Sequence, residues 1–239
     1  MLSFTRFLRY ITRPTKPTAG FTLLELMIAT SVFAVILLVV TAGILSFTRQ
    51  YYKGVVSSTT QTTAREIMSE ITQSIQFGSN IQTDLTAGGG VEGFCVDNKL
   101  FSYKPGTQVT DNGGVAAQHQ GYHALIRSQL ASGCNSATAP IAMPNTANLL
   151  AGQRELVGNH MRLATLKVTP LAAGGPLYSV HVRVVYGDDD LLCSISKGDC
   201  SSSATSINLD KPDLACKGTI GSQFCAVSDL TTTVQKRLQ

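Results

Sequence analysis

The sequence lacks a P-loop, the glycine-rich phosphate-binding motif of many nucleotide-dependent enzymes, in its 239 residues. Any ATP-driven work in which the chain takes part must therefore be done by another protein. No two of the six cysteines have the C-x2-C spacing of a zinc site. Only two of the four histidines, His119 and His123, lie close together, and no carboxylate closely flanks them. We therefore expect no catalytic residue and no cofactor, which disfavours an anchored enzyme.

The chain also lacks an excess of positive charge once the basic residues that precede Gly20 are set aside. Its formal net charge is +4, but four of its 19 Lys and Arg residues precede residue 20: Arg6, Arg9, Arg13 and Lys16. The remaining 15 basic residues equal the 15 acidic residues in number. Composition therefore does not predict general nucleic-acid binding by phosphate neutralisation. Lys236 and Arg237 supply little of the basic patch that a DNA receptor would need.

Charge is almost absent from a long segment near the N-terminus. The 27 residues from Phe21 to Phe47 contain one ionisable side chain, that of Glu25. As a helix this segment would measure about 40 Å, which exceeds the roughly 30 Å apolar core of a bilayer. The basic residues ahead of it favour a cytoplasmic N-terminus and an extracytoplasmic position for the rest of the chain. We therefore predict a single-pass inner-membrane protein.

The order of these segments differs from that of a secretory signal, in which small residues follow the apolar core. Here Gly20 comes first, so cleavage between Gly20 and Phe21 would leave the apolar helix in place with a new α-amine at Phe21. A carboxylate at membrane depth costs about 3 kcal/mol unless it is paired. We therefore predict that Glu25 pairs with this amine or with that of a neighbouring subunit. The alternative is a signal anchor in which Glu25 lies near the lipid surface.

The string Gly20-Phe21-Thr22-Leu23-Leu24-Glu25, after a basic leader, resembles the start of type IV prepilins, a family of pilus subunits and type II secretion pseudopilins. The resemblance is strong to Phe47, continues to about Phe77 and is only general beyond. It implies leader removal after Gly20 and N-methylation of Phe21 by a prepilin peptidase/N-methyltransferase, with Glu25 guiding assembly. It also implies partners, namely other major and minor pilins and an inner-membrane platform with a cytoplasmic ATPase. The chain departs from the family in having no proline within the apolar segment.

Helical spacing continues beyond the apolar segment. A stripe of apolar residues follows at Ala64, Ile67, Met68, Ile71 and Ile75. We predict one helix from Phe21 to Phe77, stopped at Gly78 and Asn80. The chain then divides into a cleaved leader (1–20), a membrane and filament-core helix (21–48), an amphipathic helix half (49–77) and an extracytoplasmic head (78–239).

The head has strand-like patterns. They predict a hairpin within Phe94–Tyr103, a strand within Tyr122–Leu130, an antiparallel hairpin of Arg162–Thr169 with Tyr178–Tyr186, and a last strand over Leu230–Leu238. Alternation places Ala164, Leu166 and Val168 on one face of their strand. The predicted fold is α+β and pilin-like, with the long helix packed against an antiparallel sheet.

Six cysteines fall in the predicted head, which favours disulfides in an exported domain. They are Cys95, Cys134, Cys193, Cys200, Cys216 and Cys225. Proximity favours pairing of Cys193 with Cys200 and of Cys216 with Cys225, leaving Cys95 with Cys134, although six cysteines allow fifteen connectivities.

One concentrated charge stands out in the head, at Asp188, Asp189 and Asp190. Three carboxylates in a loop could hold calcium, which prefers oxygen ligands, and some pseudopilins bind calcium in their heads. A solvated turn is the alternative interpretation.

Taken together, these features predict a minor pilin, incorporated at or near a filament tip to prime or regulate assembly. From Phe94 onward the chain broadly resembles the larger minor subunits, those of the W or J type. The head is larger than a small major subunit needs, which favours a minor component. A type II secretion pseudopilin is the alternative, which would end in a periplasmic pseudopilus instead of a surface pilus. An alternative of another class is a tip receptor that binds DNA for uptake.

Overall fold

A computed structural model describes residues 20–111, 120–134, 141–172, 174–195, 200, 213–218 and 221–237. Over these residues the chain forms one long helix followed by twelve strands. Two compact units divide the chain, one of residues 1–47 and one of residues 48–239. The predicted leader lies outside the described residues except for Gly20.

Helix α1 is a single helix, Leu23–Phe77, of 55 residues. It ends where the sequence predicts, and Gly78 follows because a larger residue would not fit there. A Cβ at position 78 would lie 2.3 Å from Val96 Cγ1 and 2.9 Å from the Ser74 carbonyl oxygen. The helix begins two residues later than predicted, because Thr22 acts as its N-terminal cap instead of its second residue.

The strands of the head are short, apart from three of ten residues each. In chain order they are β1 (Ile81–Ala87), β2 (Val91–Val96), β3 (Lys99–Tyr103), β4 (Gln108–Val109), β5 (Gln120–Gly121), β6 (Leu125–Gln129), β7 (Gln153–Glu155), β8 (Met161–Pro170), β9 (Leu177–Tyr186), β10 (Leu192–Ser194), β11 (Leu214–Cys216) and β12 (Ala226–Gln235). The predicted strands correspond to β2, β3, β6, β8, β9 and β12.

Three sheets are formed by the described strands. The first has the order β1-β2-β3-β6-β7, the second β12-β9-β8-β4-β5, and the third pairs β10 with β11. All neighbours are antiparallel except β4 and β5, which form a short parallel pair. The α+β fold with a long helix and antiparallel sheets is therefore confirmed.

The main hydrophobic core joins the second half of α1 to both large sheets. The predicted helix stripe supplies Ala64, Ile67, Ile71 and Ile75, each at most 1% exposed, while Met68 is only partly buried. Opposite them lie Phe94 and Phe101 of the first sheet and the alternating valines of β9, namely Val180, Val182 and Val184. Burial of apolar side chains from all three elements therefore holds the head onto the helix.

A bulge in β8 changes which residues face this core. The register between β8 and β9 pairs Leu163 with Val184 and then Thr165 with Arg183, so that Ala164 is the extra residue. Leu163, Leu166 and Val168 consequently face the main core, whereas Ala164 packs in a second cluster on the other face with Val185. The prediction that Ala164 shares a face with Leu166 and Val168 was therefore wrong.

Three disulfides tie the head together, and they join the pairs that sequence proximity favoured. Cys95 bonds to Cys134, Cys193 to Cys200 and Cys216 to Cys225, across 39, 7 and 9 positions respectively. Cys95 and Cys134 form a third apolar cluster with Leu100. Closing these loops stabilises the head chiefly by restricting the unfolded chain.

Asp97, in the turn between β2 and β3, connects the end of α1 to the head. Its carboxylate accepts hydrogen bonds from the backbone N–H groups of Ser79 and Asn80, at 3.0 and 2.8 Å to Oδ1, and from the Ser79 hydroxyl. Its carbonyl oxygen accepts from the backbone N–H of Cys134 at 2.6 Å. Burial alone would raise the pKa of Asp97, but the hydrogen bonds from Asn80 and Ser79, with the charge of Lys236, outweigh it and lower the pKa.

We expect Asp97 to stabilise the fold at neutral pH and to lose this effect in acid. Because its folded-state pKa is lowered, its contribution is present above the unfolded value of about 3.9 and is lost as the pH falls through the folded value. An Asp97→Asn variant should lose about 1 kcal/mol of stability at neutral pH, since charge-assisted hydrogen bonds become ordinary ones. Thermal unfolding followed by circular dichroism should show the gap to wild type closing in acid. A gap that is the same at every pH would contradict this role.

Candidate processing and assembly site

The first turn of α1 is closed by reciprocal hydrogen bonds between Thr22 and Glu25. Thr22 Oγ1 accepts from the backbone N–H of Glu25 at 3.2 Å, and Glu25 Oε2 accepts from the backbone N–H of Thr22 at 2.9 Å. The Thr22 hydroxyl also donates to Glu25 Oε2 at 2.9 Å. This arrangement is a capping box, which provides partners for backbone donors that a helix start leaves free.

The capping box has a local sequence signature, which was not among the predicted features of this site. A Thr or Ser followed three residues later by Glu or Gln, directly before an apolar run, is that signature, and Thr22 with Glu25 fits it. From the sequence, Glu25 is interpreted as a charge that needs a cationic partner and guides assembly, and not as part of a helix cap. With the leader attached, its carboxylate instead binds the start of its own helix, and pairing with the Phe21 amine remains a prediction for the cleaved chain.

The predicted cleavage site lies outside the helix and is open. Gly20 and Phe21 precede the cap, and the Phe21 side chain is 88% exposed. A Cβ added at Gly20 would meet no atom of the described residues within 4 Å, so the fold of these residues does not require glycine there. Glycine at this position leaves the backbone open to close approach by another molecule.

An open glycine, an exposed phenylalanine and a capped apolar helix thus follow one another over six residues. Residues 15–41 match the family model of the prokaryotic N-terminal methylation motif. The methylation motif, with its type IV pilin-like leader, supports a type IV pilin or pseudopilin, and implies processing by prepilin peptidase and membrane assembly with other pilins. Comparison of the chain with curated proteins and with solved structures gives no match.

The methylation motif includes the start of α1, and no other described residue covers the first half of this helix. All residues from Phe21 to Val55 are exposed, and the large apolar and aromatic side chains among them are 44–88% exposed. Among the described residues, α1 is a helix long and apolar enough to cross a membrane. The exposed segment and the methylation motif together fit a membrane-anchored protein.

Two of the three aspartates considered for calcium have side-chain partners within the protein. Asp189 Oδ1 accepts from Nη2 of Arg162, a guanidinium that is fully buried, at 2.5 Å. Asp188 Oδ1 accepts from Nε2 of Gln108 at 2.9 Å, and the side chain of Asp190 is exposed. Within the described ranges, no group of three or more His, Cys, Asp or Glu residues is placed to hold a metal ion. The structure thus gives Asp189 a role that the sequence did not reveal, as the counter-charge of Arg162.

Replacing Asp189 with alanine should destabilise the head by about 2–3 kcal/mol. The variant would leave Arg162 with the carbonyl oxygens of Gly106 and Gly187 as partners, and a buried charge without its counter-charge is costly. Asp190→Ala is the matched control, expected to change stability by less than about 0.5 kcal/mol because that side chain is exposed. Urea denaturation of both variants measures the difference, and equal losses would contradict the role given to Asp189.

Among the described residues, no histidine belongs to a group of three or more side chains that could hold a metal ion. His123 lies with Nδ1 3.2 Å from Glu155 Oε2 and Nε2 2.9 Å from the Thr146 carbonyl oxygen. His119, with which it was considered as a ligand pair, lies outside the described residues. His160 and His181 have carboxylate neighbours, at Asp188 and Asp229 respectively.

The two C-terminal cations considered for DNA binding are used within the head. Lys236 Nζ donates to the carbonyl oxygen of Ser79. The Arg237 guanidinium lies over the ring of Phe77, with 5.0 Å between Cζ and the ring centroid. Both residues therefore fasten the C-terminal strand to the end of α1.

Proposed function

We propose that the chain is a minor pilin of a type IV pilus. A prepilin peptidase removes the leader after Gly20 and methylates the amine of Phe21. The subunit then waits in the inner membrane, with its N-terminus cytoplasmic and its head extracytoplasmic. An assembly platform, driven by a cytoplasmic ATPase, transfers it to a filament of other major and minor pilins. Its role there is non-enzymatic, at or near the tip, where it primes or regulates assembly.

One observation carries this proposal: the methylation motif begins a helix whose first half is apolar and uncovered. Between Phe21 and Val55, twenty large apolar or aromatic side chains are at least 44% exposed. At about 1.5 kcal/mol for each buried side chain, covering them is worth on the order of 30 kcal/mol. Only a bilayer or the helices of other subunits can provide so much apolar surface. A subunit that moves from one to the other exchanges lipid for protein without exposing this helix to water.

The choice of a minor subunit depends on the head. Three disulfides and two five-stranded sheets make it larger and more elaborate than packing into a repeating shaft requires. Such a head suits a subunit present in few copies. A secretion pseudopilin would have the same methylation motif. The presence or absence of this chain in surface fibres distinguishes a pilus subunit from a secretion pseudopilin.

The deciding experiment is to delete the gene in its native host, restore it with a tagged copy and analyse sheared surface fibres by quantitative mass spectrometry. We expect fewer fibres in the deletion strain, and restored fibres that contain this chain at a small fraction of the major subunit. A stoichiometry equal to that of the major subunit would contradict a minor role. Absence from sheared fibres, with loss of an exported protein from the medium, would show a secretion pseudopilin instead.

A further inference from the structure

Three aromatic rings form a partly exposed cluster on the head-bearing unit. The ring centroids of Tyr51 and Tyr52 lie 6.2 Å apart, and those of Tyr52 and Phe224 lie 5.6 Å apart. The three side chains are 61%, 46% and 44% exposed respectively. Two of them come from α1 and the third from a loop of the head that is distant in sequence. We refer to Tyr51, Tyr52 and Phe224 as the aromatic cluster.

Phe224 is held in place by its loop, so its exposure is built into the fold. It ends a short 3₁₀ turn, Ser222–Phe224, and its backbone N–H donates to the Gly221 carbonyl oxygen at 2.8 Å. The neighbouring Cys225 is bonded to Cys216 and belongs to the second apolar cluster. At Gly221 φ is +100°, and a Cβ would lie 2.9 Å from Leu191 Cδ2, so the turn is packed closely against the head. The Phe224 ring is therefore presented by a fixed backbone.

The tyrosines of the aromatic cluster lie just after the apolar run of the helix. Tyr51 and Tyr52 follow the last residue of the apolar run, Phe47, by four and five residues, or about 6–8 Å of helix. Arg49 and Lys53 flank them. Tyr side chains at the end of a membrane helix anchor it at the headgroup level, and nearby Arg and Lys side chains reach lipid phosphates. Because Phe224 contacts Tyr52, it lies at the same level.

We propose that the aromatic cluster is a lipid-contact surface, which lies in the headgroup region of the outer leaflet while the subunit waits in the membrane. Phe224 touches the bilayer, so the head rests on the membrane through the turn Ser222–Phe224. Lipid is the occupant because the cluster continues the apolar surface of α1 and has basic neighbours suited to phosphate. The proposal depends on membrane insertion of α1 and not on the role of the subunit in a filament.

The absence of tryptophan from the chain allows a direct test by single-tryptophan fluorescence. The full-length Phe224→Trp variant is reconstituted in vesicles whose phospholipids carry bromine either near the headgroup or deep in the acyl chains. We expect shallow bromines to quench its emission roughly twofold more than deep ones, as an interfacial ring requires. Far-UV circular dichroism and intact disulfides establish that the variant is folded.

Two further variants are controls. Leu171 is exposed in the turn between β8 and β9. This turn lies near the C-terminal end of α1, because neighbouring residues of the C-terminal strand bind both: the Lys236 N–H donates to the Pro176 carbonyl oxygen, and the Arg237 N–H donates to the Gln76 carbonyl oxygen. About 36 Å of helix separates Gln76 from Tyr52, so Leu171→Trp should not be quenched by either lipid. Phe33→Trp lies within the apolar segment and should be quenched most by deep bromines.

The outcomes distinguish failure of the lipid contact from failure of membrane insertion by α1. Quenching of Phe33→Trp without quenching of Phe224→Trp above the Leu171→Trp level would overturn the lipid contact while leaving the membrane anchor intact. If Phe33→Trp is not quenched, α1 is not inserted and the proposal fails with its premise. If Phe224→Trp changes its emission only when partner subunits are present, the cluster is a subunit contact and not a lipid contact.

Discussion

Replacing Gly20 with valine is expected to slow leader removal about hundredfold, a loss of about 2.7 kcal/mol of transition-state stabilisation. The physical reason is access. Gly20 is exposed, precedes the helix and has no atom of the described residues within 4 Å of an added Cβ, so valine would leave the fold of these residues unchanged. A branched side chain next to the scissile bond would instead obstruct a peptidase that approaches the backbone closely.

Gly54→Val is the matched control for this prediction. Gly54 is also exposed and also has no atom within 4 Å of an added Cβ, but it lies outside the methylation motif. The intact mass of each protein, purified from the native host or from cells that also express a prepilin peptidase, shows whether the leader is present. Normal processing of the Gly20 variant would contradict the assignment of the cleavage site. The first half of α1 would then be interpreted as an ordinary signal anchor.

The second large effect is expected at Glu25, where glutamine should lower incorporation into filaments about hundredfold. Glutamine would leave the predicted amine of Phe21 without its counter-charge in an apolar surrounding, where an unpaired charge costs about 3 kcal/mol, and each 1.4 kcal/mol is a factor of ten. Glutamine is informative because it can also complete a capping box. Glu25→Gln thus removes the charge while keeping the helix start.

Thr22→Ala is the complementary variant, because it removes the Thr22 hydroxyl from the capping box and keeps the Glu25 charge. Loss of the cap costs about 1 kcal/mol, and we expect less than about a tenfold change in incorporation. Quantitative immunoblotting of sheared fibres against total membrane protein compares the variants. If Glu25→Gln assembles normally and Thr22→Ala does not, Glu25 acts as a cap and not as a docking charge.

Much of the candidate site was predictable because it depends on residues that are close in sequence. The apolar run, the position of Gly20 before it and the helical stripe at Ala64 to Ile75 are all local patterns, and the structure forms one helix over them. The capping box was equally local. It was missed because Glu25 was considered only as a charge in lipid, although Thr22 three residues earlier gave the signal.

The parts that sequence reasoning did not predict depend on distant residues. The Arg162–Asp189 pair joins positions 27 residues apart, and no pattern around Arg162 indicated burial. The bulge at Ala164 is visible only when β8 is aligned with β9. Strands β4, β5, β7, β10 and β11 have two or three residues each, which is too short for an alternating pattern. β1 is interrupted by a register shift between Gln82 and Leu85.

The bonds around the end of α1 have a mechanical consequence. Asp97 holds Ser79 and Asn80, while Lys236 binds the Ser79 carbonyl oxygen and the Arg237 N–H binds that of Gln76. A pull along the helix axis would act on this point as well as on the packed core, and here the β2–β3 turn and the C-terminal strand are fastened side by side. The two attachments would share the tension. Force applied to only one of them should therefore not separate the head from the helix.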